Sequence, residues 1–381
     1  MRFVLVGPAA PLRGGIAIDN DALAQALLQA GHWVEQISFS RLYPAFLFPG
    51  RSQYDPTAAN AARARPCLDS INPLSWWRTV RTIARCQPHL VTLQWWHPFF
   101  APCYATILTR LRRTCPTVPR VLLSHNTRPH EPLPGQDAAL RLVARRCNKV
   151  MVHSRSECDL MATIAPGTPT HIVDYPLLQT AQALPPREVA QQRLGVSGRV
   201  LLFFGYIRKY KGVDLLLQAL AQVPVEVGAT LLIAGEFYDP PEHYQSMIRT
   251  LGLTDRVRIM DRYIAEPEWP DLFAATDALV LPYRTASQSM SITLAYNFGK
   301  PVIVSRVGGL AEAVEEGRTG LIAEPEPAAL ATAIRRFYTE FLPSPYTQYI
   351  AERRQRLSWE PLIRLLESWT RPVVQESLAA V

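Results

Sequence analysis

The chain has 381 residues, 48% of them hydrophobic and 19% charged, which is enough apolar surface for more than one core. This excludes a disordered chain and a small scaffold stapled by disulfides or metal, and the length predicts two domains. Net charge is +8 and unevenly placed, since residues 1–180 hold 19 Lys and Arg against 10 Asp and Glu and the remainder is close to neutral.

The basic excess fits a surface meeting nucleic acid, an anionic membrane or a phosphorylated substrate; it equally fits an arginine-rich composition, as only four of the 40 basic residues are lysine. The cysteines (Cys67, Cys86, Cys103, Cys115, Cys147, Cys158) show neither C-x-x-C nor regular spacing. They predict reduced thiols in a cytoplasmic protein, not a zinc site or a disulfide framework. The apolar start at 3–6 is only strand length and does not read as a secretory signal. The most apolar long stretch, 90–111, is broken by Gln94, His97, Pro98 and Pro102 and fails as a membrane span.

In chain order, a strand at 2–6 leads through a loop at 7–15 into an amphipathic helix. Leu23, Leu27 and Ala30 recur there at i, i+4 and i+7, and Gly31 is placed to end it. Strands follow at 90–93, 120–123 and 149–153, then a Pro-rich polar stretch at 174–187 that reads as a linker. A second start appears at 199–204, which runs through a basic loop into a helix at 212–221. Strands at 230–234, 257–260, 278–281 and 301–304 complete the pattern. Strand and helix alternate throughout, so the fold class is α/β, with two doubly wound, Rossmann-like domains facing each other. No short repeat is present, which excludes solenoids and propellers. Ligands of such sheets sit beyond the carboxyl ends of the strands, so the loops there are the candidate site.

Gly14 and Gly15 precede the first helix, where the backbone can approach a ligand and free N–H groups face an anion; an ordinary βα turn is the alternative. The loop 205–212 carries Arg208, Lys209 and Lys211. Arg208 can grip phosphate bidentately and Lys211 can act as a point charge beside it, unless the loop is simply solvated. Ser287, Gln288 and Ser289 precede another helix and supply hydroxyl and amide donors, or an N-cap. Gly308-Gly309 forms a further close-approach turn, with Glu312 shortly after. His125 ends a strand, where it can polarise an acceptor or a sugar or be merely structural, and His130 follows with a weaker claim. Asp19-Asn20-Asp21 has the D-x-D spacing of some metal sites, but charge matched to the helix dipole explains it more cheaply. P-loop, G-x-G-x-x-G and G-x-S-x-G patterns are missing, which argues against a P-loop enzyme, a plain dinucleotide dehydrogenase and an α/β-hydrolase.

These motifs resemble the GT-B glycosyltransferases of the large retaining class called glycosyltransferase family 4. Phe204-Gly-Tyr-Ile-Arg-Lys-Tyr-Lys-Gly-Val-Asp214 resembles the family's G-R-x-x-x-x-K-G-x-D segment, and Ala234-Gly235-Glu236 its A-G-x segment. The stretches 299–312 and 317–322 match its most diagnostic region, Gly14-Gly15 and His125 are similar to its donor-phosphate loop and active-site histidine, and Ser358-Trp359 resembles the point where the last helix crosses back. The resemblance implies an acceptor-binding domain at 1–178, rejoined by 359–381, and a nucleotide-sugar-binding domain at 188–358. It implies that a hexose passes from a UDP- or GDP-sugar to a glycan or lipid-linked acceptor in bacterial surface-glycan assembly, with retention, without metal and without any further cofactor.

By the same resemblance, His125, Lys211 and Arg208 would be catalytic. Gly14, Gly15, Gly205, Tyr206, Glu236, Ser287, Gln288, Ser289 and Glu312 would face the donor. The sequence departs from the family pattern at three positions. Tyr206 stands where an arginine is usual, with Arg208 two residues on. The two usual glutamates align with Ala286 and Leu294, and the loop instead looks like a Ser-Gln-Ser variant. A GT-B protein that binds nucleotide sugar or a partner without turnover is therefore the alternative reading. A peripheral contact with the inner membrane face is expected, to which the segment 76–85 with Trp76 and Trp77 can contribute, unless those tryptophans are core. Nucleic-acid binding has no motif behind it and is not expected.

Overall fold

The computed structural model describes residues 1–48, 50–55, 57, 64–178, 182–342 and 345–370. Parts of the predicted linker (179–181) and of the predicted return segment (371–381) lie outside them. Seven strands form the first sheet: β1 (Arg2–Val6), β2 (Trp33–Arg41), β3 (Arg65–Asp69), β4 (Leu90–Trp95), β5 (Arg120–Ser124), β6 (Lys149–Val152) and β7 (Thr170–Ile172). Six form the second: β8 (Arg199–Phe204), β9 (Ala229–Ala234), β10 (Val257–Met260), β11 (Ala278–Leu281), β12 (Val302–Ser305) and β13 (Gly320–Ala323). Their spatial orders are β3-β2-β1-β4-β5-β6-β7 and β10-β9-β8-β11-β12-β13, and neighbours run parallel.

The central strands are nearly continuous apolar runs because helices cover both faces and almost all of their side chains are buried. β2, β3, β7 and β13 were not legible as strands. Three of them close a sheet edge, where one side is unpaired and no apolar run is needed, and β2 is only partly buried.

The first helix, Gly15–Gln29, buries Leu23 and Leu27 and ends where Gly31 takes a positive φ of 81°. There the His32 N–H reaches the Leu27 carbonyl at 3.0 Å and the Gly31 N–H reaches Leu28 at 3.0 Å, which satisfies two otherwise orphaned carbonyls. On the same face of the first sheet, Trp359 and, from the last helix (Glu360–Thr370), Leu362, Leu366 and Trp369 pack against Phe3, Leu5 and Leu27. Trp359 Nε1 donates to the Leu177 carbonyl at 2.9 Å, fastening the returning chain to the end of the first half. Helices Pro73–Arg85 and Ala101–Thr114 cover the opposite face.

Each sheet reverses strand order once, between β1 and β4 and between β8 and β11. The loops after β1 and β5 of the first sheet and after β8 and β11 of the second line one cleft beside these reversals, where a ligand is expected. Among the described residues no helix is long and apolar enough to cross a membrane.

Candidate active site

A cavity of about 230 Å³ lies between the carboxyl ends of the two sheets. Gly14, Gly15 and His125 line it from the first sheet, and Gly205, Tyr206, Lys211, Glu236, Gln288 and Ser289 from the second. Nine of the twelve residues predicted from sequence therefore meet here. Arg208, Ser287 and Glu312 do not line it.

The second wall is built around Lys211. Gly205 has a φ of 117°, and a Cβ there would stand 3.2 Å from Lys211 Nζ, so the glycine clears the space beside the cation. Behind it, a Cβ on Gly235 would run into the Gly205 carbonyl. The basic loop is held from β11: Arg284 grips Asp214 with two bonds of 2.8 and 2.6 Å, and its N–H donates to the Tyr210 carbonyl at 2.7 Å. Lys211 Nζ itself lies 5.4 Å from the Tyr283 ring and makes no hydrogen bond or ion pair among the described residues. Burial, with a smaller push from Arg208, brings its pKa down to about 8. It is still cationic at neutral pH.

Ser289 caps the helix Met290–Asn297, its Oγ accepting from the Ser291 N–H at 3.3 Å. Gln288 Oε1 accepts from the Ser289 N–H at 3.0 Å, while its buried Nε2 finds no partner among the described residues. A Cβ on Gly308 or Gly309 would run into the carbonyl of Ala286 or Ser287, so the glycine pair supports this loop and does not face the cleft. Leu294 is fully buried in the second core.

On the first wall the polar groups form one chain whose direction a proline decides. Pro8 offers only a carbonyl, so Asn20 Nδ2 must donate to it (3.0 Å), and Asn20 Oδ1 accepts from Gln94 Nε2 (3.0 Å). Gln94 Oε1 then accepts from His125 Nε2 at 2.6 Å, which puts the ring proton on Nε2 and leaves Nδ1 as an acceptor. Burial first, then His153, lowers the His125 pKa to about 3, so the ring is neutral. Asp19 Oδ2 stands 3.8 Å from His125 Nε2, and burial raises its pKa to about 7 against a hydrogen bond from Tyr175.

The helix-dipole account of Asp19-Asn20-Asp21 is corrected here. The helix starts at Gly15, its first turn has no acidic residue, and Asp19 and Asn20 are buried in this network. Asp21 instead accepts from the Ala10 N–H and from Gln36, both at 2.8 Å. No group of three or more His, Cys, Asp or Glu converges on a metal position among the described residues. Gln94 and Tyr175 were missed as site residues, and Asp19 and Asn20 were singled out only for their D-x-D spacing; a glutamine inside the apolar run of β4 was the available signal.

Three contacts clasp the walls together and occupy residues expected to face a donor. Buried Glu236 takes Arg13 Nη1 at 3.2 Å and the Arg51 N–H, while the Arg13 guanidinium lies 4.4 Å over the Tyr263 ring. Arg208 pairs with Glu131 at 2.7 Å, beside His130 stacked on Tyr210 at 4.4 Å. Glu312 accepts from the Arg155 and Ser156 N–H groups at 2.6 and 3.1 Å, opening the helix Arg155–Ile164. Tyr206 packs on Tyr238, with ring centres 4.7 Å apart.

Residues 198–340 match the family described as glycosyl transferases group 1. The chain is 28% identical over 220 residues to D-inositol 3-phosphate glycosyltransferase 1 of Catenulispora acidiphila, an alignment covering 53% of this chain and 51% of that protein. The chain thus spans about half the length of this curated relative. Sucrose-phosphate synthase from Thermosynechococcus elongatus superposes with a TM-score of 0.71 at 19% identity, over 96% of this chain and 97% of that one. HepE of Anabaena, in complex with UDP-glucose, also gives 0.71, at 18% identity over 96% and 98%. The chain therefore carries the group 1 glycosyltransferase sequence over residues 198–340 and, along nearly its whole length, the GT-B fold of the solved glycosyltransferases.

Proposed function

We propose that the chain transfers a hexose from a UDP- or GDP-sugar to a glycan or lipid-linked acceptor, with retention of configuration and without a metal, at the inner membrane face. The observation that carries this is Lys211: a cation without a counter-ion among the described residues, beside a glycine-cleared space, in the cleft where both sheets reverse order. Cleaving the bond between sugar and phosphate leaves negative charge on the departing oxygen. Lys211 Nζ and the first N–H groups of the helix Gly15–Gln29, which take no side-chain cap, border the same cavity and would meet that charge without a metal in this reading. Neutral His125 does not shuttle a proton in this scheme; its Nδ1 accepts from a sugar hydroxyl, held in register by Gln94. The donor phosphate takes up the acceptor proton on the leaving-group side, so no protein nucleophile is needed. HepE in complex with UDP-glucose supports a nucleotide-sugar donor.

Donor turnover tests the reading. The chain is expected to release nucleotide from a UDP- or GDP-hexose in the presence of a chelator, and Lys211→Ala is expected to lower that rate by about 10²–10³-fold. A chain that binds nucleotide but never consumes donor would instead be a binder without turnover, as the loss of the glutamates at Ala286 and Leu294 allows.

A further inference from the structure

Part of the basic excess of the first half lies on two helices that contribute no residue to the cleft lining. Helix Pro73–Arg85 turns Leu74, Trp77, Arg78, Arg81 and Arg85 outward at i, i+3, i+4, i+7 and i+11. Leu74 is 68% exposed and Trp77 43%, and Ile71 just before the helix is 47% exposed. Trp76, by contrast, is spent on the fold, its Nε1 donating to the Asp69 carbonyl at 2.8 Å. The guanidinium of Arg110, from helix Ala101–Thr114, lies 3.2 Å over the Trp77 ring, which joins the two helices' outer faces. Arg112 and Arg113 stand exposed in that helix's last turn. Neither helix contains an acidic residue, and Arg78, Arg81, Arg85, Arg112 and Arg113 make no ion pair among the described residues.

We propose that this face seats the chain on a lipid bilayer bearing anionic headgroups, with Ile71, Leu74 and Trp77 entering the interface and the arginines lying among the phosphates. The combination selects the occupant. Apolar side chains and an indole beside uncompensated arginines match the interfacial region of a bilayer, where hydrophobic insertion and headgroup charge add. Nucleic acid would leave Leu74 and Ile71 without a counterpart, and a second copy would set arginine against arginine. The inference deepens the proposed use of a lipid-linked acceptor, yet membrane binding can be measured without any sugar transfer.

The test is co-sedimentation of the full chain with phosphatidylcholine vesicles and with vesicles containing about one third phosphatidylglycerol, at low and high salt. Binding to the anionic vesicles only, released by salt, is expected. R78E/R81E/R85E should lower the bound fraction at least about tenfold, R78Q/R81Q/R85Q less, and L74S/W77S should weaken binding to the same vesicles. Each variant's melting temperature and its shift with nucleotide should stay as in the parent, which separates this result from failure of the donor site or of folding. Equal binding to neutral vesicles, no binding to either, or undiminished binding by both arginine variants would overturn the proposal; so would capture by a DNA duplex in preference to the vesicles.

Discussion

The two walls of the cleft are built on opposite electrostatic plans. The wall from the second sheet presents Lys211, a cation without a counter-ion among the described residues, on a loop clamped by Arg284 and Asp214. The wall from the first sheet drives its titratable groups toward neutrality: His125 falls to about 3 and His153 to about 4, while Asp19 rises to about 7, in each case chiefly by burial. A charged wall is suited to a leaving group that gains charge, and a neutral, hydrogen-bonding wall to hydroxyl groups that do not. In the proposed reading, transfer between two chemically different partners uses both, one from each half of the chain.

This contrast can be broken most sharply on the charged side, where the Lys211→Ala loss of about 10²–10³-fold in turnover is the largest effect expected. Nucleotide affinity should also fall as pH rises through about 8, where Lys211 loses its proton. On the neutral side, His125→Ala is expected to reduce transfer by about 10–10²-fold while leaving nucleotide affinity within about twofold. Equal loss of both would make His125 a structural residue. Gln94→Leu, assayed by melting and transfer, should cost about 1–3 kcal/mol of stability, because His125 Nε2 and Asn20 Oδ1 lose their buried partner.

The neutral wall also predicts a pH dependence of stability. His125, His153 and His130 are lowered from 6.5 to about 3, 4 and 4, so between pH 4 and 6.5 the unfolded chain binds protons that the folded chain does not. Asp19, raised from 3.8 to about 7, opposes them, as do Asp21 and Glu266, which burial also raises, while burial lowers His97 and His171 with the other histidines. The lowered histidines outnumber the raised carboxyls, so the melting temperature should climb with pH through that window, and Asp19→Asn should steepen the climb. A flat or falling profile would contradict the burial of these groups. At the clasp, Arg13→Ala should lower the melting temperature, as the buried Glu236 carboxylate would keep only the Arg51 N–H and no cation.

What the sequence disclosed follows the same division. The heart of the second wall was readable because its parts are contiguous: a strand, two glycines, Lys211 and Asp214 lie within one short stretch. Of the first wall, Gly14, Gly15 and His125 were readable, but the chain that orients His125 was not, since Pro8, Asn20, Gln94 and His125 come from four separate segments and meet only when β1, β4 and β5 lie side by side. Single-residue chemistry also failed to foretell pairing. Arg208 and Glu312 have the right character for a donor site, yet each is tied to the opposite half, to Glu131 and to the helix at Arg155. The central strands of both sheets were legible from their unbroken apolar runs, whereas edge strands β3 and β7 carry too little burial to leave such a pattern.

The most direct test of the charged wall is thermal stabilisation by UDP, GDP and ADP, without added metal, for the parent chain and Lys211→Ala. A ligand that binds only the folded chain raises its melting temperature with occupancy. The account predicts a rise with one nucleotide that Lys211→Ala abolishes. No rise with any nucleotide, or an equal rise in the variant, would contradict it.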